Sequence, residues 1–284
     1  MKKHLILLLF LSFLTACSSD DDKATTVEPK YDSSVALNLT DVAYGSDPEQ
    51  LLDIYLPAGR DTDTKVIILV HGGAWIEGDK ADFAEAVAVI RAQFPDYGVV
   101  NINYRLATPT SPAYPKQIDD IKLVIDHLEN GGYVLSNDYA FLGASAGAHL
   151  SMLYSYKYDT DGDVKAIVDI VGPADFTDPN YLSHPLYSFA AQALIGTQTP
   201  TSAQIAEVSP ANYIKGSSAP TLSFYGGVDP LVPASQGPLL KAKLDAAGVY
   251  NEFNFYEDGG HGDWDTATFI EVYAKIEAFL KSRF

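Results

Sequence analysis

The chain predicts an α/β fold, a mostly parallel central sheet with helices on both faces. Three observations carry that expectation. From Val66 onward, short apolar runs alternate with stretches of helical period. Val66–Val70 is apolar at every position, as a strand buried on both faces of a parallel sheet must be. Gly143-Ala144-Ser145-Ala146-Gly147 lies between an apolar run and a helical stretch, where glycines permit a sharp strand-to-helix turn.

Residues 1–16 read as a signal peptide: Lys2 and Lys3, an apolar run Leu5–Leu14, then small residues. The run is too short for a comfortable membrane span. The only cysteine, Cys17, follows Leu14-Thr15-Ala16, which resembles the lipobox of bacterial lipoproteins. That resemblance implies lipidation of Cys17, export, and a bacterial cell-envelope lipoprotein held at the outer membrane, facing the periplasm or the surface. Residues 17–36 then form a lipidated flexible tether. Its Ser18-Ser19-Asp20-Asp21-Asp22 resembles an acidic surface-export tag, and a solvated linker fits it equally.

A single domain is expected over residues 37–284. Leu37–Ala43 and Leu51–Tyr55 read as an antiparallel pair around the turn Gly45–Pro48. Further strands are expected at Val66–Val70, Gly98–Asn103, Tyr139–Leu142, Val164–Val171, Pro220–Tyr225 and Tyr250–Tyr256. Helices are expected at Ala81–Gln93, Tyr114–Glu129, Ser145–Lys157, Ala234–Ala247 and Trp264–Lys281. Residues 175–218 are too long for a simple crossover and carry Tyr181, Leu182, Tyr187, Phe189, Leu194 and Ile195. They are expected to form a small cap over the carboxyl edge of the sheet, where ligands bind in such folds.

Composition excludes several classes of function. The net charge is −18, and removing residues 1–16 takes away two lysines and no acid, so the surface repels nucleic acid. With Cys17 consumed, thiol catalysis, cysteine metal sites and an internal disulfide are all excluded. No metal and no organic cofactor is called for.

A serine hydroxyl needs a base, and the oxyanion it generates needs fixed donors. Ser145 is the candidate nucleophile. Directly after the strand Val66–Val70, His71-Gly72-Gly73-Ala74-Trp75 offers the amides of Gly73 and Ala74, which with that of Ala146 would form an oxyanion hole. His71 reads as shaping that loop. Of the other histidines, His4 is in the signal peptide, His127 lies on a helix in solvent and His184 in the cap. His149 sits one turn beyond Ser145 and points along the core. His261, in the glycine-rich loop Asp258-Gly259-Gly260-His261-Gly262, is the expected base. Asp229, just past the strand ending at Tyr225, is the expected acid, with Asp175 and Asp178 as competitors. Trp75, Tyr114 and the cap aromatics are candidates for a substrate pocket.

Together, His71-Gly72-Gly73-Ala74-Trp75, Asn103-Tyr104-Arg105-Leu106, Tyr114-Pro115-x-Gln117-x-x-Asp120, the Ser145 pentapeptide, Asp229 and His261 resemble the α/β-hydrolase superfamily over residues 37–284. Within it the chain is similar to hormone-sensitive-lipase-like carboxylesterases and to feruloyl and acetyl xylan esterases. Ala74 stands where the lipase-like members usually have a third glycine, and Ala144 where they often have an acid, which favours the smaller esterase branch. The resemblance implies a Ser145–His261–Asp229 triad, a structural Arg105–Asp120 charge pair, and deacylation of acetylated or feruloylated plant polysaccharide. Its loop also resembles arylformamidases. The alternatives are therefore a broad small-ester or lipase-like hydrolase, an arylformamidase-like amide hydrolase, or an inactive carbohydrate-binding member of the fold.

Overall fold

The computed structural model describes residues 27–284. The expected signal peptide, Cys17 and most of the expected tether lie outside the described residues.

Eight strands form one sheet: β1 Leu37–Ala43, β2 Leu51–Leu56, β3 Val66–Val70, β4 Gly98–Ile102, β5 Tyr139–Ala144, β6 Val164–Ile170, β7 Thr221–Gly226 and β8 Asn251–Tyr256. Their spatial order is β1-β2-β4-β3-β5-β6-β7-β8. β2 pairs antiparallel with β1 and β4, and every pairing from β4 to β8 is parallel. The flanking helices are α1 Ala84–Gln93, α2 Lys116–Asn130, α3 Ala146–Leu153, α7 Gln236–Ala247 and α8 Thr266–Arg283.

The alternating pleat of β3 divides the core. Val66, Ile68 and Val70 face a layer with Ile121 and Val124 of α2, Leu150 of α3 and Leu240 of α7. Ile67 and Leu69 face the opposite layer, with Ile90 of α1 and Ile276 and Phe279 of α8. All five β3 residues are fully buried, each side chain contributing about 1.5–3 kcal/mol relative to exposure. Because β3 has β4 on one side and β5 on the other, the chain changes direction across the sheet there. The carboxyl ends of β3 and β5 thus border a crevice at a topological switch point.

Several helix starts differ from the sequence pattern because a local group ends them. Asp265 caps α8 by accepting from the Thr268 amide at 2.8 Å, which moves the start beyond Trp264. α3 starts after Ser145, whose positive φ is not helical, and at its other end gives way to a wider π turn over Tyr154–Tyr158. Lys80–Phe83 is a tighter 3₁₀ turn ahead of α1. His127 is half-buried rather than solvated, its Nε2 lying 2.8 Å from the Tyr133 hydroxyl.

Between β6 and β7 run three short helices, α4 Pro179–Leu182, α5 Tyr187–Ile195 and α6 Ser202–Glu207. Gln236, at the start of α7, holds the first part of this segment. Its Oε1 accepts from the amides of Ala174 and Asp175 at 2.9 and 2.8 Å, and its Nε2 donates to Asp178 at 3.0 Å. At the other end of α5, the carbonyls of Ala193 and Leu194 accept from the amides of Ala113 and Tyr114.

A buried carboxylate fastens the antiparallel corner. Asp120 is fully buried and accepts from the Arg105 guanidinium, the Arg105 amide (2.8 Å) and Gln50 Nε2 (2.7 Å). Removing one partner of such a pair leaves the other groups buried and unmatched. Asp120→Ala is therefore expected to lower the unfolding free energy by about 3–5 kcal/mol, measured by urea denaturation.

Asp169 in β6 is the opposite case. It is fully buried, and its Oδ2 has no partner among the described residues. Burial pushes its pKa up to about 7, against the smaller pull of the Tyr225 hydroxyl and the Gly172 amide. With the folded pKa raised, the folded state holds a proton that the unfolded chain has released. The contribution is complete below the unfolded carboxylate pKa and is lost as pH rises through about 7. Asp169→Asn keeps the oxygen that accepts from the Gly172 amide. It is expected to flatten the pH dependence of unfolding free energy between about pH 4 and 7, read from denaturation at a series of pH values.

Candidate active site

Ser145 occupies the turn between β5 and α3 with φ 52° and ψ −119°, a conformation an L-residue holds only where packing imposes it. Gly143 and Gly147 explain the packing. A Cβ on Gly143 would lie 2.6 Å from the Ala148 amide nitrogen, and one on Gly147 would overlap the carbonyl oxygens of Val70 and His71. The start of α3 therefore presses against the ends of both β5 and β3. The Ser145 amide donates to the Ile170 carbonyl of β6 at 2.8 Å, so three adjacent strands fix the turn.

His261 reaches this serine from the loop after β8. Its Nε2 lies 2.8 Å from Ser145 Oγ, and its Nδ1 lies 2.7 Å from Asp229 Oδ2. The Asp229 side chain is 1% exposed, whereas that of His261 is 16% exposed, so the carboxylate is shielded and the imidazole still meets the crevice. The other Asp229 oxygen accepts from the amides of Leu231 and Val232 at 2.8 and 2.9 Å. Those bonds hold the carboxylate in one orientation. Asp175 and Asp178, the competing acids, are engaged elsewhere. Asp175 accepts from Thr177, and Asp178 caps α4 and accepts from Ser235 and Gln236.

The loop after β3 runs through positive φ at Gly73 (109°), Ala74 (48°) and Trp75 (66°). It abuts the serine: a Cβ on Gly72 would stand 3.3 Å from Ser145 Cβ. Among the described residues, the amides of Gly73, Ala74 and Ala146 have no protein acceptor. The Ala146 amide also belongs to the buried donor end of α3, where helix N–H groups favour negative charge. His71 is buried and stacks on Tyr104 at 4.3 Å, and its own carbonyl accepts from the Tyr104 hydroxyl at 2.8 Å. Burial lowers its pKa. It shapes the loop, as the sequence suggests.

Beside Ser145 lies a cavity of about 220 Å³. Its walls include Ala74, Trp75, Pro173, Tyr181, Ala190 and Val232, while Leu186, Phe189 and Leu231 stand partly exposed at its rim. Glu77, also lining it, and His261 are the acidic and basic side chains there, with the Tyr181 phenol as a further titratable group. Trp75 thus lines the cavity, and two aromatics of the α4–α6 segment, Tyr181 and Phe189, join it. Tyr114 does not. Its hydroxyl bonds Tyr158 and Glu207, and Lys157 lies 5.3 Å over its ring, so a separate surface cluster claims it. Pro173, Leu231 and Val232 were not legible as lining residues. They arrive through the loops that follow β6 and β7, and only the folded sheet makes those loops neighbours.

The comparisons with known proteins agree with this architecture. Esterase LipC of Mycobacterium tuberculosis is 28% identical over 242 residues, covering 78% of this chain and 59% of LipC. Kynurenine formamidase of Danio rerio is 28% identical over 167 residues, covering 54% of this chain and 53% of that enzyme. The chain therefore spans a little over half the length of these curated relatives. A solved structure, a truncated form of carbohydrate esterase from gut microbiota, superposes with a TM-score of 0.70 at 25% identity, covering 88% of this chain and 99% of that one. The fold is that of the α/β-hydrolases. The family model described as BD-FAE matches residues 52–244, and with that match the chain belongs to the BD-FAE family.

Proposed function

We propose that this chain is a serine carboxylic-ester hydrolase. The observation that carries the reading is the single imidazole of His261, bonded at once to Ser145 Oγ and to the shielded carboxylate of Asp229. With Asp229 accepting from Nδ1–H, the Nε2 lone pair faces the serine hydroxyl. As Oγ attacks the ester carbonyl, its proton passes to Nε2, and Asp229 stabilises the resulting imidazolium. The carbonyl oxygen, now an oxyanion, takes hydrogen bonds from the amides of Gly73, Ala74 and Ala146. Collapse of this intermediate expels the alcohol, protonated from Nε2, and leaves an acyl-serine. Water then repeats the sequence and releases the acid.

The apolar cavity suits an acyl group in its walls. Small acyl or feruloyl esters of plant polysaccharide are the proposed substrates, a choice supported by the likeness to a carbohydrate esterase. A second reading, an arylformamidase-like amide hydrolase, is supported by the likeness to a kynurenine formamidase and uses the same residues. Export and lipid anchoring at Cys17 are proposed from residues 1–17 alone. Cys17→Ser is expected to shift the protein from the membrane to the soluble fraction on cell fractionation.

Hydrolysis of p-nitrophenyl acetate, p-nitrophenyl butyrate, a feruloyl ester and N-formylkynurenine by residues 18–284 tests the reading. Ser145→Ala is expected to lower kcat by at least about 10³-fold on every substrate that turns over. Unchanged turnover in that variant removes Ser145 as nucleophile. Faster turnover of the formamide than of any ester would favour the second reading.

A further inference from the structure

Trp75 joins two parts of the site. Its backbone continues the loop that carries Gly73 and Ala74, and its carbonyl accepts from the Ala107 amide and from Gln117 Nε2, both at 2.8 Å. Its indole is buried in the cavity wall and donates from Nε1 to His149 Nδ1 at 3.2 Å. His149 is itself fully buried on α3, four residues beyond Ser145. From Nε2 it bonds the Val208 carbonyl at 2.8 Å, directly after α6. The ring also meets Phe176 edge-on at 5.3 Å, and Phe176 meets the cavity residue Tyr181 at 4.8 Å.

These partners define one tautomer. Val208 offers only an acceptor, so the proton sits on Nε2 and Nδ1 is free to accept from the indole. Burial pushes the His149 pKa down to about 4, which keeps the ring neutral well below neutral pH. One imidazole, on the helix that begins at the serine, thus holds the oxyanion loop on one side and the α4–α6 segment on the other. It has no place in the proton transfer between Ser145 and His261.

Resting on the reading of Ser145 as nucleophile, we propose that His149 is a positioning residue whose two ring nitrogens have separate tasks. Nδ1 holds Trp75, and through it the amides of Gly73 and Ala74, where the oxyanion forms. Nε2 holds, at Val208, the far end of the α4–α6 segment whose Tyr181 and Phe189 line the cavity. A histidine serving only to fill the core would show no such division.

Two substitutions separate the tasks. Glutamine extends an amide N–H to the position of Nε2 and leaves nothing at Nδ1, whereas asparagine places a carbonyl oxygen near Nδ1 and cannot reach Val208. His149→Gln is expected to lower kcat on p-nitrophenyl acetate at least about tenfold with KM little changed, since small misplacements at the reacting centre are costly. His149→Asn is expected to keep kcat within about threefold. It should raise KM for the butyrate ester about three- to tenfold, as the loss of one hydrogen bond that anchors the segment behind the wall predicts. Trp75→Phe removes the same indole donor from the other side. It should reproduce the kcat loss, and the double variant with His149→Gln should show no further loss.

Equal falls in kcat/KM for the Gln and Asn variants, tracking their loss of thermal stability, would overturn the proposal. So would a Trp75→Phe enzyme with wild-type kcat, which decides the matter even if neither His149 variant folds. Labelling of wild-type Ser145 by a p-nitrophenyl phosphonate, located by peptide mass spectrometry, checks the underlying reading separately. Without that label the serine mechanism itself fails. With it, wild-type kinetics in His149→Gln overturn only the role given to His149.

Discussion

The left-handed backbone of Ser145 is the constraint on which the rest of the site depends. A non-glycine residue at φ 52° is strained, and the strain persists only because neighbouring structure leaves the chain no other path. Here the path is set by bare backbone. Gly143 and Gly147 let α3 start in contact with the ends of β3 and β5, and any side chain at Gly147 would drive the helix away from the Val70 and His71 carbonyls. In return the hydroxyl projects from the sheet edge, and the donor end of α3 lies next to it.

The three groups that meet at Ser145 are held by different means. Asp229 is fixed by two amides of its own loop and hidden from solvent, so its charge is directed at a single ring nitrogen. The loop of Gly73 and Ala74 is fixed from outside, through the stacking of His71 on Tyr104 and through the bonds to the Trp75 carbonyl and indole. The His261 loop is kept close by packing of backbone on backbone, since a Cβ on Gly226 would overlap the Gly259 and Gly260 carbonyls. A constellation of this kind needs rigid support, because preorganised dipoles act only if they need no reorganisation. The acidic surface places no carboxylate in the cavity lining apart from Glu77, which is exposed.

Much of the fold was legible because its signals are local. The uniformly apolar β3, the amphipathic α2 and the alternation of elements follow from side-chain period alone, and the observed strands match the expected ones to within a residue or two. Helix starts were less legible, since a cap such as Asp265 or the strained turn at Ser145 overrides the pattern. Tyr114 shows a further limit. It sits within a recognisable motif, yet its ring belongs to a surface cluster with Tyr158, Lys157 and Glu207, residues 43 to 93 positions away.

By itself the sequence determined which residues could do the chemistry: one serine in a glycine-framed turn, one histidine in a glycine-rich loop, and an aspartate between them in chain order. It did so because nucleophile, base and turn are marked by residue type and by immediate neighbours. Only the tertiary structure sets the distances among them, the contact of His261 with Asp229 rather than with Asp175 or Asp178, the makeup of the cavity and the bond between Trp75 and His149. Those depend on loops from β3, β5, β6, β7 and β8 converging at one sheet edge. That convergence is set by strand order and packing, which no local stretch of sequence encodes.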